Sequence, residues 1–255
     1  MFSRIRTTRN KREIIEVGWT PVPKPPEITL TMDKPDHLYT SIYSDIDSAF
    51  KLCPAFTAFF KNYYIVRSPI DIKFVIKKIT DYDAIITIED KKIEEYVTFD
   101  DRKTEWSHDY RNPFDPKLKL EKNNNPMISF SLHQLFFADE DVTMEQIPPF
   151  LHMHELKYFN HLRMIPGGFN IRDWIRPLDF AYELMLSDYI IIDIKRNDPL
   201  CYVNFRSNNK IKIKQVPWTE DLELYSRTTV GLKGLVPGLG QLYEKFRKFR
   251  KPKLL

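Results

Sequence analysis

The sequence predicts a mainly β chain, a β-rich α+β fold. The expected form is a curled or two-layer antiparallel sheet, jelly-roll or β-clip-like, with a few helices and a C-terminal amphipathic helix. Three observations predict it. Short runs rich in Ile, Val, Tyr and Phe recur between turns of Asn, Asp, Lys and Pro, as at Tyr63–Arg67 and Tyr189–Ile194. Of 255 residues, 7 are Gly and 18 are Pro, which argues against a Gly-rich nucleotide fold and for many loops. Aromatic residues make up 14%, enough large apolar side chains to build a core.

The chain opens with Arg4, Arg6, Arg9, Lys11 and Arg12 and then turns proline-rich from Trp19 to Pro26. Prolines fix φ and remove donors, so residues 1–26 read as an extended basic arm, with Trp19 as an anchor onto the chain's own domain. Ile28–Met32 alternates apolar and polar residues, which predicts a strand. Apolar residues at 52, 55, 56, 59 and 60 repeat at helical spacing behind Pro54. Strands are expected at Tyr63–Arg67, Asp71–Ile76, Ala84–Glu89 and Glu95–Phe99. Residues 100–126 are polar and broken by Pro113, Pro116 and Pro126, a long surface excursion.

Met127–Leu132, Tyr189–Ile194, Pro199–Phe205 and Ile211–Val216 read as further strands, with turns at Pro166-Gly167-Gly168, Lys195–Asp198 and Ser207–Lys210. Trp174–Pro177 reads as a core turn. Thr219 is placed to cap a helix carrying Leu222, Leu224 and Tyr225. Leu239, Leu242, Tyr243, Phe246 and Phe249 form an apolar stripe on a last helix, with Lys and Arg opposite. Three regions follow: a basic, proline-rich arm over 1–26, a β-rich globular domain over 27–217, and a helical basic tail over 218–255.

The charge is uneven. The chain is +4 overall, yet residues 1–12 and 241–255 each carry +5, leaving the middle at −6. A uniformly basic nucleic-acid binder looks different. Mean hydropathy is −0.42 and no apolar run reaches the ~20 residues of a membrane helix. The N-terminus lacks the apolar stretch of a secretory signal, which points to a host-cell cytoplasmic or virion setting. Cys53 and Cys201 lie in apolar surroundings and are expected to be buried free thiols.

Motifs for chemistry are sparse. There is no Gly-x-Ser-x-Gly, no phosphate-binding Gly-x-x-x-x-Gly-Lys and no Gly-x-Gly-x-x-Gly. The best metal candidate is His152, His154 and Glu155, with His161 six residues after Glu155. On a strand, His-x-His points both imidazoles to one face, a set suited to Zn or Fe(II); in an irregular or helical segment the pair faces apart. No cofactor is otherwise expected. The acidic clusters, Asp139-Glu140-Asp141 among them, read as solvated turns. Arg4, Arg6, Arg9, Lys245, Arg247, Lys248 and Arg250 are the candidates for contact with a partner or with phosphate backbones.

Two blocks carry a resemblance. The first is Cys53-Pro54-Ala55-Phe56 followed by Lys61-Asn62-Tyr63-Tyr64-Ile65-Val66-Arg67-Ser68-Pro69. The second is Trp174-Ile175-Arg176-Pro177 followed by Ile194-Lys195-Arg196-Asn197-Asp198-Pro199-Leu200. Together they resemble uncharacterised proteins of marine tailed phages, in which the position of Asn197 is often Gly. That family supplies no activity and no site residue. Ile192–Leu200 also resembles the strand-turn-strand of dUTPase-like proteins, but the Ser-rich phosphate motif is missing, so only a compact β fold is implied.

The expectation for function is therefore a non-enzymatic phage-type accessory protein, working through contacts with a protein partner or with copies of itself. The alternatives are a metal-dependent β-barrel enzyme built on the histidine cluster and a nucleic-acid-associated protein using the basic ends.

Overall fold

The computed structural model describes residues 14–23, 28–45, 52–80, 83–89, 97–99, 117–121, 124–185, 188–233, 238–250 and 253–255. The elements run β1 Ile14–Pro21, β2 Ile28–Leu30, β3 Asp36–His37, α1 Leu38–Asp45, α2 Pro54–Phe59, β4 Tyr63–Arg67, β5 Ile72–Thr80, β6 Asp83–Glu89 and β7 Val97–Phe99. They continue with β8 Lys117–Glu121, β9 Asn124–Phe137, β10 Thr143–Ile147, a single 3-10 turn at Lys157–Asn160, β11 Leu162–Met164, β12 Gly167–Asn170 and β13 Pro177–Leu184. The last are β14 Tyr189–Ile194, β15 Pro199–Arg206, β16 Lys210–Gln215, α3 Glu220–Lys233 and α4 Leu239–Phe249. The chain is mainly β, with several antiparallel sheets and few helices.

Two larger sheets dominate. One has the order β11-β13-β9-β1-β16, with β8 also on β9; the other runs β12-β10-β15-β4-β3. Their inner faces share one core, which draws Trp19, Leu132 and Phe180 from the first sheet and Val66, Val203 and Phe205 from the second. Phe136 and Phe205 meet across the layers at 5.8 Å between ring centroids. A three-stranded sheet, β14-β5-β6, adds Phe74, Ile76, Ile190 and Ile192 to the same core.

The outer faces are covered by helices. On the first sheet, Leu135 and Phe137 pack with Ile175, Leu222, Tyr225 and Phe246, so α3 and α4 lie there. On the second, Ile65 and Tyr202 pack with Leu38 and Phe60, beneath α1 and α2. Strands covered on both faces lose the apolar-polar alternation of a half-solvated strand, which is why β4 and β15 read as continuous apolar runs.

Residues 14–21 correct the expectation of an arm. β1 lies inside the first sheet, antiparallel to β9 and parallel to β16. Trp19 is fully buried, and its indole N–H donates to Gln134 Oε1 at 2.8 Å. The physical reason is the run Ile14-Ile15-Glu16-Val17, which lies ahead of the prolines, while Pro21 falls at the strand's end. Residues 1–13 and 24–27, the rest of that region, lie outside the described residues, as does most of 100–126.

Other expectations meet the structure more closely. Leu222 N–H donates to Thr219 Oγ1 at 3.3 Å, the cap at the start of α3. Gly167 and Gly168, expected as a turn, instead form part of β12 against β10. Cys201 is buried, but Cys53 is exposed, because it lies ahead of a short helix with no buried residue. On α4 the apolar stripe is only half used: Leu242 and Phe246 are buried, while Leu239 and Phe249 are exposed.

Candidate functional site

One concavity among the described residues is a cleft of about 1290 Å³ between residues 210–213 of β16 and the segment Asp33–Ser41. Its floor includes Tyr64, Ile65, Arg67 and Asn197. Ser68-Pro69 ends β4, so Arg67 stands at the strand's last position. Its guanidinium is held from three sides. Nη1 donates to Asn197 O at 3.0 Å, Nη2 donates to Ser41 Oγ at 2.9 Å, and Nε lies 3.5 Å from Asp36 Oδ2. Arg67 thus ties α1, β3 and the 195–198 turn together.

Neighbouring groups are also engaged. His37 Nε2 donates to Lys61 O at 2.7 Å, and the ring stands edge-on to Tyr64 at 5.0 Å. Tyr64 donates its hydroxyl to Ile211 O at 2.9 Å, and burial pushes that phenol up to about 12. It keeps its proton at neutral pH. The cleft is thus a polar, firmly braced concavity with Lys34, Lys210 and Lys212 on its walls.

The stretches Lys61–Pro69 and Ile194–Leu200 meet beside this cleft. Ser68 N–H donates to Asp198 O and Asn197 N–H donates to Ser68 O, both at 2.9 Å. Asn197 holds φ +70°, the left-handed region that favours Gly. The Trp174 block is structural: Trp174 and Ile175 are buried, Arg176 lies 5.1 Å over the Trp174 ring, and the same guanidinium pairs with Asp179.

An exposed apolar surface is the second feature. Phe59 of α2 is 59% exposed, Leu52 just before the helix 85%, and Phe150 44%. The rings form a connected row: Phe59 to Phe60 at 5.0 Å, Phe60 to Phe150 at 5.9 Å, and Phe150 to Tyr202 at 5.4 Å. Met153, three residues beyond Phe150, is also exposed. The inner members, Phe60 and Tyr202, are core, and the outer ones face water.

The four metal candidates are not brought together. The segment 151–155 is a series of turns, not a strand, so the two histidines face apart. His152 is buried, and its Nδ1 shares a hydrogen bond of 2.6 Å with the Tyr202 hydroxyl. Burial raises the Tyr202 phenol, so the tyrosine side of that bond is neutral. His154 is exposed, with Nε2 3.3 Å from Glu155 Oε1. His161 ends the 3-10 turn, its N–H donating to Tyr158 O at 3.1 Å. Among the described residues no three His, Cys, Asp or Glu side chains group as metal ligands, these four included.

The basic tail divides in two. Arg247 and Arg250 reach into the body: Arg247 pairs with Asp173, and Arg250 donates to Ala138 O at 2.7 Å and to Asp139 Oδ1 at 3.0 Å. Lys245 and Lys248 are exposed. Arg4, Arg6 and Arg9 lie outside the described residues. Asp139 corrects the reading of its cluster as a solvated turn, since it also accepts the N–H groups of Leu254 and Leu255 at 2.9 Å.

Sequence reasoning missed the cleft. Its residues come from five separated stretches, whose proximity no motif or spacing signalled. No helix is long and apolar enough to cross a membrane among the described residues. In comparisons with known proteins, no family model, curated protein or solved structure matches the chain.

Proposed function

We propose that the protein is a non-enzymatic accessory protein of the phage type that its sequence blocks resemble, acting through contact with a protein partner in the virion or on a host target. The observation that carries this reading is the exposed aromatic row on α2 and the 150–153 turn. Large apolar side chains held in water by a rigid scaffold are what a docking surface offers, since their burial supplies the association free energy. Phe59, Phe150 and Leu52 are the anchors, and the partner presents an apolar surface of its own. The engagement of Arg67, Tyr64 and Tyr202 in structural hydrogen bonds agrees with a role in binding rather than turnover.

The test places a photoreactive phenylalanine analogue at Phe59 and identifies the adducts formed in infected host cells by mass spectrometry. The expected result is one protein adduct that disappears when Phe150→Asp is added and that is not formed from the same analogue at Lys248. Adducts insensitive to Phe150→Asp overturn the reading. So does turnover of any small molecule that falls in His152→Ala or His154→Ala.

A further inference from the structure

We propose that the cleft between β16 and the Asp33–Ser41 segment binds a small organic phosphate, its phosphoryl group held by Lys34, Lys210 and Lys212. The site uses no residue of the aromatic row and goes beyond the protein-contact reading.

Charge is the first argument. Lys210, Lys212 and Lys214 are exposed on one face of β16, while Ile211 and Ile213 point into the core. Glu16 of β1 pairs with Lys214 at 3.6 Å. Among the described residues, no carboxylate pairs with Lys34, Lys210 or Lys212. Lys210 and Lys212 stand about 7 Å apart along the strand. Lys34 lies on the facing wall. Of the two carboxylates in the lining, Asp36 is engaged by Arg67 and Asp33 offsets one lysine, so the cleft keeps an excess of positive charge. The first turn of α1, which reaches the cleft through Tyr39, Thr40 and Ser41, holds no acidic residue. Like charges gathered on facing walls repel, and an anion between them removes that repulsion. A phosphoryl group carries about −1.5 to −2 at neutral pH, and Lys meets it as a point charge.

Shape is the second argument. The floor is set before any ligand arrives, with the Tyr64 hydroxyl on Ile211 O and Arg67 bonded to both Asn197 O and Ser41 Oγ. A preformed wall needs little ordering on binding. The cleft, of about 1290 Å³, is far larger than a bare phosphate fills. Sites for small organic molecules run from roughly 300 to 1,000 Å³, so a whole ligand fits. Ile14, Pro35 and Tyr39 offer apolar surface to its organic part.

Two other occupants fit less well. The main chain of Ile211 is already bonded to Asn62 and Tyr64, so a peptide finds no strand edge there. A long polyanion extends beyond the cleft over a chain whose middle carries −6, whereas a small anion stays among the lysines.

The test is isothermal titration calorimetry of the full chain with ADP and with glucose 6-phosphate, in phosphate-free buffer at low salt. Adenosine, glucose, pyrophosphate and (dT)12 are the comparators. At least one organic phosphate should bind, and its phosphate-free counterpart should bind about tenfold more weakly or not at all. Binding of ADP alone or of glucose 6-phosphate alone supports the proposal equally and separates nucleotide from sugar phosphate as the source. Lys34→Gln and Lys212→Gln should each weaken binding about tenfold, while Lys212→Arg keeps most of it and Lys248→Gln changes nothing. In the natural chain, the bound phosphate should slow acetylation of Lys34, Lys210 and Lys212 by an amine-reactive reagent and leave Lys248 unprotected. No binding by either organic phosphate overturns the proposal. So do binding that ignores the Lys34 and Lys212 variants, pyrophosphate binding as tightly as the organic phosphates, or tighter binding of (dT)12. These variants leave Phe59 and Phe150 intact, so failure here is separable from failure of the aromatic docking surface.

Discussion

Arg247 grips Asp173 with two parallel donors, Nε to Oδ1 at 2.8 Å and Nη2 to Oδ2. Asp173 is fully buried, while the Arg247 side chain is about half exposed at 48%. The hydrogen bond to Asp173 raises the already high Arg247 pKa, so the guanidinium keeps its charge. It joins α4 to the loop ahead of β13 and fixes how Leu242 and Phe246 seat. Arg247→Ala leaves a buried carboxylate with Arg172 at 3.4 Å as its remaining cation. The expected loss is about 3 kcal/mol in urea unfolding. Asp173→Leu combined with Arg247→Met should recover most of it, because no charge is then left buried. A double variant as unstable as Arg247→Ala would refute this account.

Gly18 of β1 faces the ring of Phe137. A Cβ at position 18 would lie 2.4 Å from Phe137 Cζ, inside any van der Waals contact. Phe137 is fully buried beneath α3 and α4 and cannot simply swing aside. Gly18→Ala is expected to cost about 2 kcal/mol, within the range for overpacking. Phe137→Leu in the same chain should return part of that loss. Thermal unfolding of the four variants in the cycle checks it, and additive losses would show that the ring is not the obstacle.

Much of the β framework was legible because its signals are local. Tyr63–Arg67, Tyr189–Ile194 and the Thr219 cap stand as read, and the helix behind Pro54 ends one residue short of Phe60. β1 was obscured by Pro21, Pro23, Pro25 and Pro26, whose breaking signal spread backwards over a good strand. β10 carries Met144 and Ile147 as its only apolar residues, too few to stand out. The histidine pair needed a strand that the turns after Pro148-Pro149 do not provide. The cleft was invisible for a different reason: Arg67 and Ser41, or Tyr64 and Ile211, meet only through tertiary contacts, which no spacing records.

Asn197 occupies the left-handed region at φ +70°, and its carbonyl accepts from Arg67. Asn tolerates that conformation better than most residues, and Gly adopts it freely. Asn197→Gly should therefore change stability by less than about 0.5 kcal/mol, as relief of strain offsets the greater freedom of the unfolded chain. Asn197→Val should cost about 1–2 kcal/mol. Chemical denaturation distinguishes the two, and equal losses for Gly and Val would mean that the Asn side chain, not the backbone, is what matters.

Glu145 of β10 ties two neighbouring positions of β15, pairing with Arg206 and accepting from Asn204 Nδ2 at 3.0 Å. The hydrogen bond from Arg206 is the main reason its carboxyl is held below the ordinary 4.5, against a smaller opposing effect of burial. A carboxyl with a depressed folded pKa binds its proton more readily in the unfolded chain. Its contribution is thus fully present above the unfolded value near 4.5, and it is lost as pH falls through the lower folded value. Arg206 is largely solvated, so salt screens the effect and the gain is small. The stability difference between the natural chain and Glu145→Gln should be constant from pH 7 to about 5 and should shrink as acid is added below that. Denaturation midpoints across pH 2–7 at low salt measure it. A difference that persists unchanged at pH 2 would assign the stabilisation to packing of the Glu145 side chain instead of its charge.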